Sequence, residues 1–287
     1  MYKKGELTTQ QIVILIILIA SFAVILFFFL RLNLGQQTSQ QICHNSVITR
    51  GSSIVSADAF PLKCQRQYVC LSFDGTCEKM TKPDVIKVKT KDDVYKALAD
   101  QMAECWWMFG EGKVDYVGSG WSSDLYCSLC SQIAFDDSVN KDIFKNAGSF
   151  DKKNIYIYMK NNKYSNGQTY LYYLFKTNNL NQISRGDFGK VNLDKEYYSL
   201  LGIKSTTSTW AFLGIGAGTI ILSFTPLEIP GALIAGGIAF ATTGTGQSLL
   251  APVVHGSSGN DFIAPSLIQV NSPEFDALKC EEIKTSS

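Results

Sequence analysis

The residues in this chain that could do chemistry are its eight cysteines, set against only two histidines. Cys127-Ser128-Leu129-Cys130 has the spacing of a thiol–disulfide exchange pair, in which a thiolate of lowered pKa attacks a partner disulfide. Such pairs open a helix after a strand, whereas here Gln132-Ile133-Ala134-Phe135 follows and reads as a strand. A zinc centre would need four soft ligands. Cys64, Cys70, Cys77 and Cys105 could contribute, but the second Cys-x-x-Cys knuckle is missing. Structural disulfides among Cys43, Cys64, Cys70, Cys77, Cys105, Cys127, Cys130 and Cys280 are therefore the leading expectation, ahead of metal binding and redox catalysis. Spacing leaves the pairing open, with two local links favoured: Cys105 to Cys127 or Cys130, and Cys70 to Cys77 across the Asp74-Gly75 turn. His255 sits in a Gly/Ser-rich loop ending at Asp261, and His44 lies beside Cys43, but neither grouping supplies the geometry of a triad or a metal site. No phosphate loop, dinucleotide fingerprint or His-Glu-x-x-His pattern occurs, so no catalytic residue, cofactor or metal is expected.

The elements that would position these groups can be read in outline. Tyr68–Leu71 and Val85–Val88 are rich in β-branched and aromatic residues and read as short strands. Thr90 followed by Asp93 has the form of a capping box. Val94, Leu98, Met102, Cys105 and Phe109 then recur at helical spacing up to Gly110. The last turn of that helix carries Trp106, Trp107 and Phe109, which form either a contact surface or, as the favoured reading, core packing. Asn154–Lys160 and Thr169–Lys176 alternate tyrosine with aliphatic residues around Asn166-Gly167, which predicts a β-hairpin. Tyr156, Tyr158, Tyr170, Tyr172 and Tyr173 would line one face of an ordinary sheet or a recognition face. A short helix is expected around Asp194–Leu201.

The charges place these elements. Net charge is +1 over 287 residues, which implies no nucleic-acid partner. Residues 1–35 carry +3 and −1, residues 36–204 carry +21 and −18, and residues 205–287 carry +2 and −6. From Ile12 to Leu30 only Ser21 is polar, and at about 1.5 Å per residue this run matches a hydrocarbon core of roughly 30 Å. Lys3 and Lys4 precede the run and Arg31 follows it, which favours a cytoplasmic N-terminus. The cysteine load fits an oxidising exterior. Both observations place the main domain outside the cytoplasmic membrane, with the lipid bilayer as a partner.

The opening Lys3-Lys4-Gly5-Glu6-Leu7-Thr8-Thr9-Gln10-Gln11, ahead of the apolar run, resembles the class III (prepilin-like) leader and anchor of archaeal pilins and archaellins. The resemblance implies cleavage after Gly5. It covers about 30 residues, and its fifth position after that cut is Gln10 where bacterial pilins carry glutamate. The alternative is a plain uncleaved anchor.

A second apolar region runs from Trp210 to Phe224 and from Leu227 to Ala241, interrupted by Thr225-Pro226. Small residues four apart, including Gly214 with Gly218 and Gly236 or Gly237 with their alanine partners, predict a helical hairpin packed closely in lipid, with Glu228 at its tip. Two full spans, a shallow re-entrant hairpin and a hairpin tucked into the domain are all open. The expected architecture is thus a membrane-anchored α+β protein: an N-terminal transmembrane anchor (1–35), a disulfide-stapled extracytoplasmic α+β domain (36–204), a hydrophobic helical hairpin (205–254) and an extracytoplasmic acidic tail (255–287). The expected function is non-enzymatic binding or assembly at the outer membrane face, with itself or another envelope protein. The rivals are a pore-forming or membrane-remodelling protein using residues 210–254, an extracytoplasmic thiol oxidoreductase and, more weakly, a filament subunit.

Overall fold

The computed structural model describes residues 9–31, 38–52, 60–117, 125–183, 188–205, 214–215, 218–224, 237–242, 248–258, 260–278 and 280–282. They fall into two units, Met1–Thr38 and Ser39–Ser287. The first unit is helix α1 (Thr9–Arg31). Its side chains from Ile12 to Val24 are exposed around the whole circumference, including Ile12, Ile14, Leu15, Ile17, Phe22 and Val24. Ser21 donates its hydroxyl to the Leu18 carbonyl at 2.9 Å, so this polar group is satisfied inside the helix. Among the described residues no helix is long and apolar enough to cross a membrane. The part of α1 whose side chains are described, Ile12–Val24, covers about 20 Å of a core of about 30 Å.

The second unit is built on a ten-stranded sheet. Strands β1 (Gln67–Ser72) and β2 (Asp84–Lys87) form where the β-branched clusters predict them and pair in parallel. The turn after β1 uses Gly75 at φ +96°, a conformation that side chains with a Cβ resist. From β2 the chain rises through α3 (Lys91–Met108) and returns as β3 (Tyr126–Phe135), which lies parallel to β1 on its other side. A short excursion follows: the small sheet of β4 (Ser149–Asp151) with β5 (Lys190–Asn192), enclosing α4 (Lys153–Asn161), α5 (Tyr170–Phe175) and α6 (Leu180–Ile183). Strand β6 (Tyr197–Ser205) pairs antiparallel with β3, and the sheet continues with the strands that close the chain. These are β7 (Gly214–Ile215), β8 (Gly218–Phe224), β9 (Gly237–Thr242), β10 (Ser248–His255) and β11 (Asn260–Gln269). The order across the sheet is β2-β1-β3-β6-β11-β10-β9-β8-β7.

Helix α2 (Ser39–Ser52) and α3, α4 and α5 contribute to one large apolar core with the sheet, in which Leu98, Met102, Trp106, Ile133, Leu201 and Phe262 are almost fully enclosed. The opposite face carries a smaller core of Leu125, Cys127, Leu200, Ile263, Ile268 and Leu278, joined by Phe275 of α7 (Pro273–Ala277). Strand β12 (Glu281–Glu282) then lies beside the start of β3. Residues 255–287, read from sequence as a tail, thus supply β11 near the middle of the sheet.

Three expectations are corrected. The Gly/Ala-rich segment expected to form a helical hairpin forms antiparallel strands, with Ile220 opposite Ala241 and Phe224 opposite Gly237. Its apolar runs are short, bounded by glycine and proline, and include β-branched Thr219, Ile220 and Ile221. Glycine also weakens a helix by about 1 kcal/mol relative to alanine, and runs of this length do not distinguish helix from buried strand. The predicted tyrosine hairpin is instead α4 and α5. Ile155, Tyr156 and Met159 share one buried helical face, and Thr169 caps α5 by accepting the Tyr172 N–H at 3.2 Å. The helix expected at Asp194–Leu201 gives way to β6. Tyr197, Leu200, Leu201 and Ile203 are buried on both sides of the sheet, so the sequence shows no alternation there.

Candidate functional site

All eight cysteines are consumed in four disulfides: Cys43–Cys64, Cys70–Cys77, Cys105–Cys130 and Cys127–Cys280. The Cys-x-x-Cys motif therefore has no exchange geometry. In a strand successive side chains alternate faces, and β3 also shifts register between Leu129 and Ser131. Cys127 consequently belongs to the small core and bonds Cys280, while Cys130 belongs to the large core and bonds Cys105 on α3. Among the described residues no group of histidines, cysteines and carboxylates could hold a metal ion.

The aromatic stripe at the end of α3 is spent on packing. Trp106 meets Phe262 edge-on at 5.6 Å and Phe109 lies 5.2 Å from Tyr116, both in the large core. Trp107 is partly buried and stacks flat on His44 at 4.1 Å, with His44 Nδ1 2.7 Å from the Trp107 carbonyl. The hairpin glycines Gly214, Gly218 and Gly237 open strands β7, β8 and β9. Gly236 and Glu228 lie outside the described residues. His255 and Asp261 are backbone partners across β10 and β11.

The structure assembles a different cluster, which sequence reasoning missed. The capping box fixes the start of α3: the Thr90 hydroxyl accepts from the Asp93 N–H at 3.1 Å, and the Asp93 carboxylate accepts from the Thr90 N–H at 2.9 Å. With that start, Lys96, Asp100 and Glu104 fall four residues apart on one outward stripe. Lys96 Nζ reaches Asp100 Oδ2 at 2.6 Å, and the Tyr170 hydroxyl donates to Asp100 Oδ1 at 2.5 Å. One helical turn on, the Tyr173 hydroxyl donates to Glu111 Oε1 at 2.7 Å, and Lys113 pairs with the other Glu111 oxygen. Both tyrosine rings are thereby fixed. Tyr164 lies over them, 4.8 Å from Tyr173 in a near-parallel stack and 5.3 Å from Tyr170, and Tyr158 adds a ring 6.2 Å from Tyr170.

The carboxylates differ in environment. At Glu111 burial opposes the charge, but Lys113 and the Tyr173 hydroxyl outweigh it and hold the carboxyl below its usual range. At Glu104 burial dominates, the nearby Asp100 adds to it, and the carboxyl is pushed up. Burial likewise drives the hydroxyls of Tyr170 and Tyr173 up, reinforced by the carboxylates they bond. The result is a tyrosine platform whose locked rings, Tyr170 and Tyr173, are buried, with Tyr158 and Tyr164 partly exposed against them and Glu104, also partly exposed, on the same helical stripe as Asp100. The one sequence signal that could have shown it is the four-residue spacing of Lys96, Asp100 and Glu104, since the tyrosines were assigned to strands. Comparison with known proteins gives no match to a family model, to a curated protein or to a solved structure.

Proposed function

We propose that this chain is a non-enzymatic cell-envelope protein, anchored in the cytoplasmic membrane by its N-terminal apolar segment with the N-terminus inside, whose disulfide-stapled α+β unit binds or assembles at the outer face. The observation that carries the reading is the complete pairing of the cysteines, including Cys280 with Cys127. A fold with four disulfides and no free thiol suits an oxidising compartment and not a reducing cytosol. The all-round apolar surface of α1 supports the anchor, because such a helix is stable only when lipid or protein covers it. The partly exposed rings of Tyr158 and Tyr164, packed on the buried Tyr170 and Tyr173, support a binding role, since fixed aromatic rings offer contact area at little entropic cost. Fractionation tests the proposal. The full chain should stay with membranes through high salt and leave only with detergent, and removal of residues 1–35 should release it. A full chain recovered in the soluble fraction without detergent would defeat the reading.

A further inference from the structure

The sheet face beneath α3 is interrupted by one polar row. Val69, Ile133 and Tyr197 stand side by side on β1, β3 and β6, and all three belong to the large core. Two residues along each strand, the same registers bring Gln67 beside Ser131 and Ser131 beside Ser199. Side chains two apart on a strand share a face, so this row also points towards α3. A contact agrees: the Ser199 hydroxyl donates to the Gln101 carbonyl of α3 at 3.3 Å. The row is enclosed, with Ser131 at 1% and Ser199 at 0% exposure and Gln67 also buried. Yet Gln67 Nε2 and Ser131 Oγ, both shut off from solvent, have no hydrogen-bond partner among the described residues. Buried polar groups are almost always bonded, because leaving one unbonded forfeits its hydration without return.

The chemistry of the row selects its occupant. An amide and two hydroxyls carry no charge, so they match a neutral hydrogen-bonding molecule and not a divalent cation, which takes carboxylate oxygens. Serines stand where the neighbouring row has Ile133 and Tyr197, so the side chains of this row reach less far towards α3 and leave room for something small. Water is that molecule, since a buried water bonds about three polar groups. We propose that Gln67, Ser131 and Ser199 form a binding site for one ordered water, which ties β1, β3 and β6 together beneath α3. The Gln67 N–H donates to the water oxygen, and the two water hydrogens go to Ser131 Oγ and Ser199 Oγ. Ser199 keeps its own proton for the Gln101 carbonyl. The edge of β3 offers the way in: β12 lies beside it as far as Cys127 and β1 from Ser131 onward, so no described strand covers Ser128–Cys130 on that side.

The test is a double-mutant cycle read by thermal melts of the purified full chain in detergent. Gln67→Met keeps the length of the side chain and removes the amide. With the water in place the variant loses a hydrogen bond and should melt lower by about 2–4 °C, whereas removal of an amide that bonds nothing relieves a buried donor and leaves the melting temperature level or higher. Ser199→Ala should cost a similar amount. Adjacent strands lie about 4.8 Å apart, so Gln67 and Ser199, on either side of β3, are roughly 10 Å apart and their losses add unless they share a partner. Sharing the water, they should not add, and the double variant should melt within about 1 °C of the lower single variant. As a control, Tyr156→Phe removes a buried hydroxyl on α4, outside the row, and its effect should simply add to that of Ser199→Ala. A crystal structure of the full chain gives a reading independent of any variant's folding, and should show a water bonded to at least two of the three side chains. Gln67→Met melting at or above the parent, additive losses at Gln67 and Ser199, or a crystal structure with Gln67 bonded directly to Ser131 and no water between them would overturn the assignment.

Discussion

The Cys127–Cys280 disulfide should be the most stabilising of the four, and the size of its advantage follows from where it closes the chain. It joins residues 153 apart, against 7 for Cys70–Cys77. In the chain-entropy treatment a cross-link restricts the unfolded state by an amount that grows as 1.5RT ln n, giving about 5 kcal/mol for the long loop and about 2.4 kcal/mol for the short one. Neither Cys43–Cys64 nor Cys70–Cys77 lies within the long loop, and Cys105–Cys130 offers no shorter path from Cys127 to Cys280, so the effective loop is nearly the full separation. The comparison is Cys127→Ser/Cys280→Ser against Cys70→Ser/Cys77→Ser. The sites are matched, because Cys70 and Cys127 are both buried while Cys77 and Cys280 are both partly exposed, so the cost of placing serines largely cancels. The long-loop variant should be less stable by about 2.7 kcal/mol. For a unit of this size that difference corresponds to a gap in melting temperature of roughly 5–10 °C. Urea denaturation followed by circular dichroism, with melts alongside, measures it. Equal stabilities, or a greater loss in the short-loop variant, would refute the claim that β12 and the chain end close the fold by tethering to β3.

Further outcomes follow from the same structure. Thr90→Ala removes the α3 cap and should cost about 1 kcal/mol in urea denaturation. Trp106→Ala empties the contact with Phe262 in the large core and should cost about 3–5 kcal/mol in urea denaturation. Lys152 donates to the Leu267 carbonyl at 2.6 Å, and burial, only partly offset by Glu274, lowers its pKa to about 8 from 10.5. Between those values the unfolded chain binds more protons than the folded one, so stability should rise with pH from about 8 towards 10. That rise should be smaller in Lys152→Met, and an unchanged slope in stability against pH would show that the amine is not buried. Tyr173→Phe removes the hydrogen bond to Glu111 and should cost about 1 kcal/mol while leaving the stacked rings in place, as near-ultraviolet circular dichroism would report.

What the sequence made legible was local. Thr90 and Asp93 announce a helix start, and the apolar residues from Val94 to Phe109 carry its period, so α3 could be read directly. Cys70 and Cys77 flank a glycine turn and pair as expected. Where a segment is buried on both faces, as Tyr197–Ile203 is, periodicity vanishes and the choice between helix and strand with it. The glycine-bounded apolar runs of β8 and β9 mislead in the same way. Tyr156/Tyr158 and Tyr170/Tyr172 mimic strand alternation, although their neighbours Ile155, Met159 and Leu174 mark helical faces. The platform was hidden because it is made by distance in sequence: Tyr170 meets Asp100 across 70 residues, and Tyr173 meets Glu111 across 62. No local pattern encodes such a meeting.

The proposed protein is a membrane-anchored unit whose cysteines are all oxidised on the outside. Labelling intact cells with a membrane-impermeant maleimide, before and after mild reduction, tests it most directly. No labelling is expected before reduction and strong labelling afterwards, including at Cys280, with no need to permeabilise the membrane. Labelling without reductant, or labelling after reduction that appears only once the membrane is breached, would contradict it.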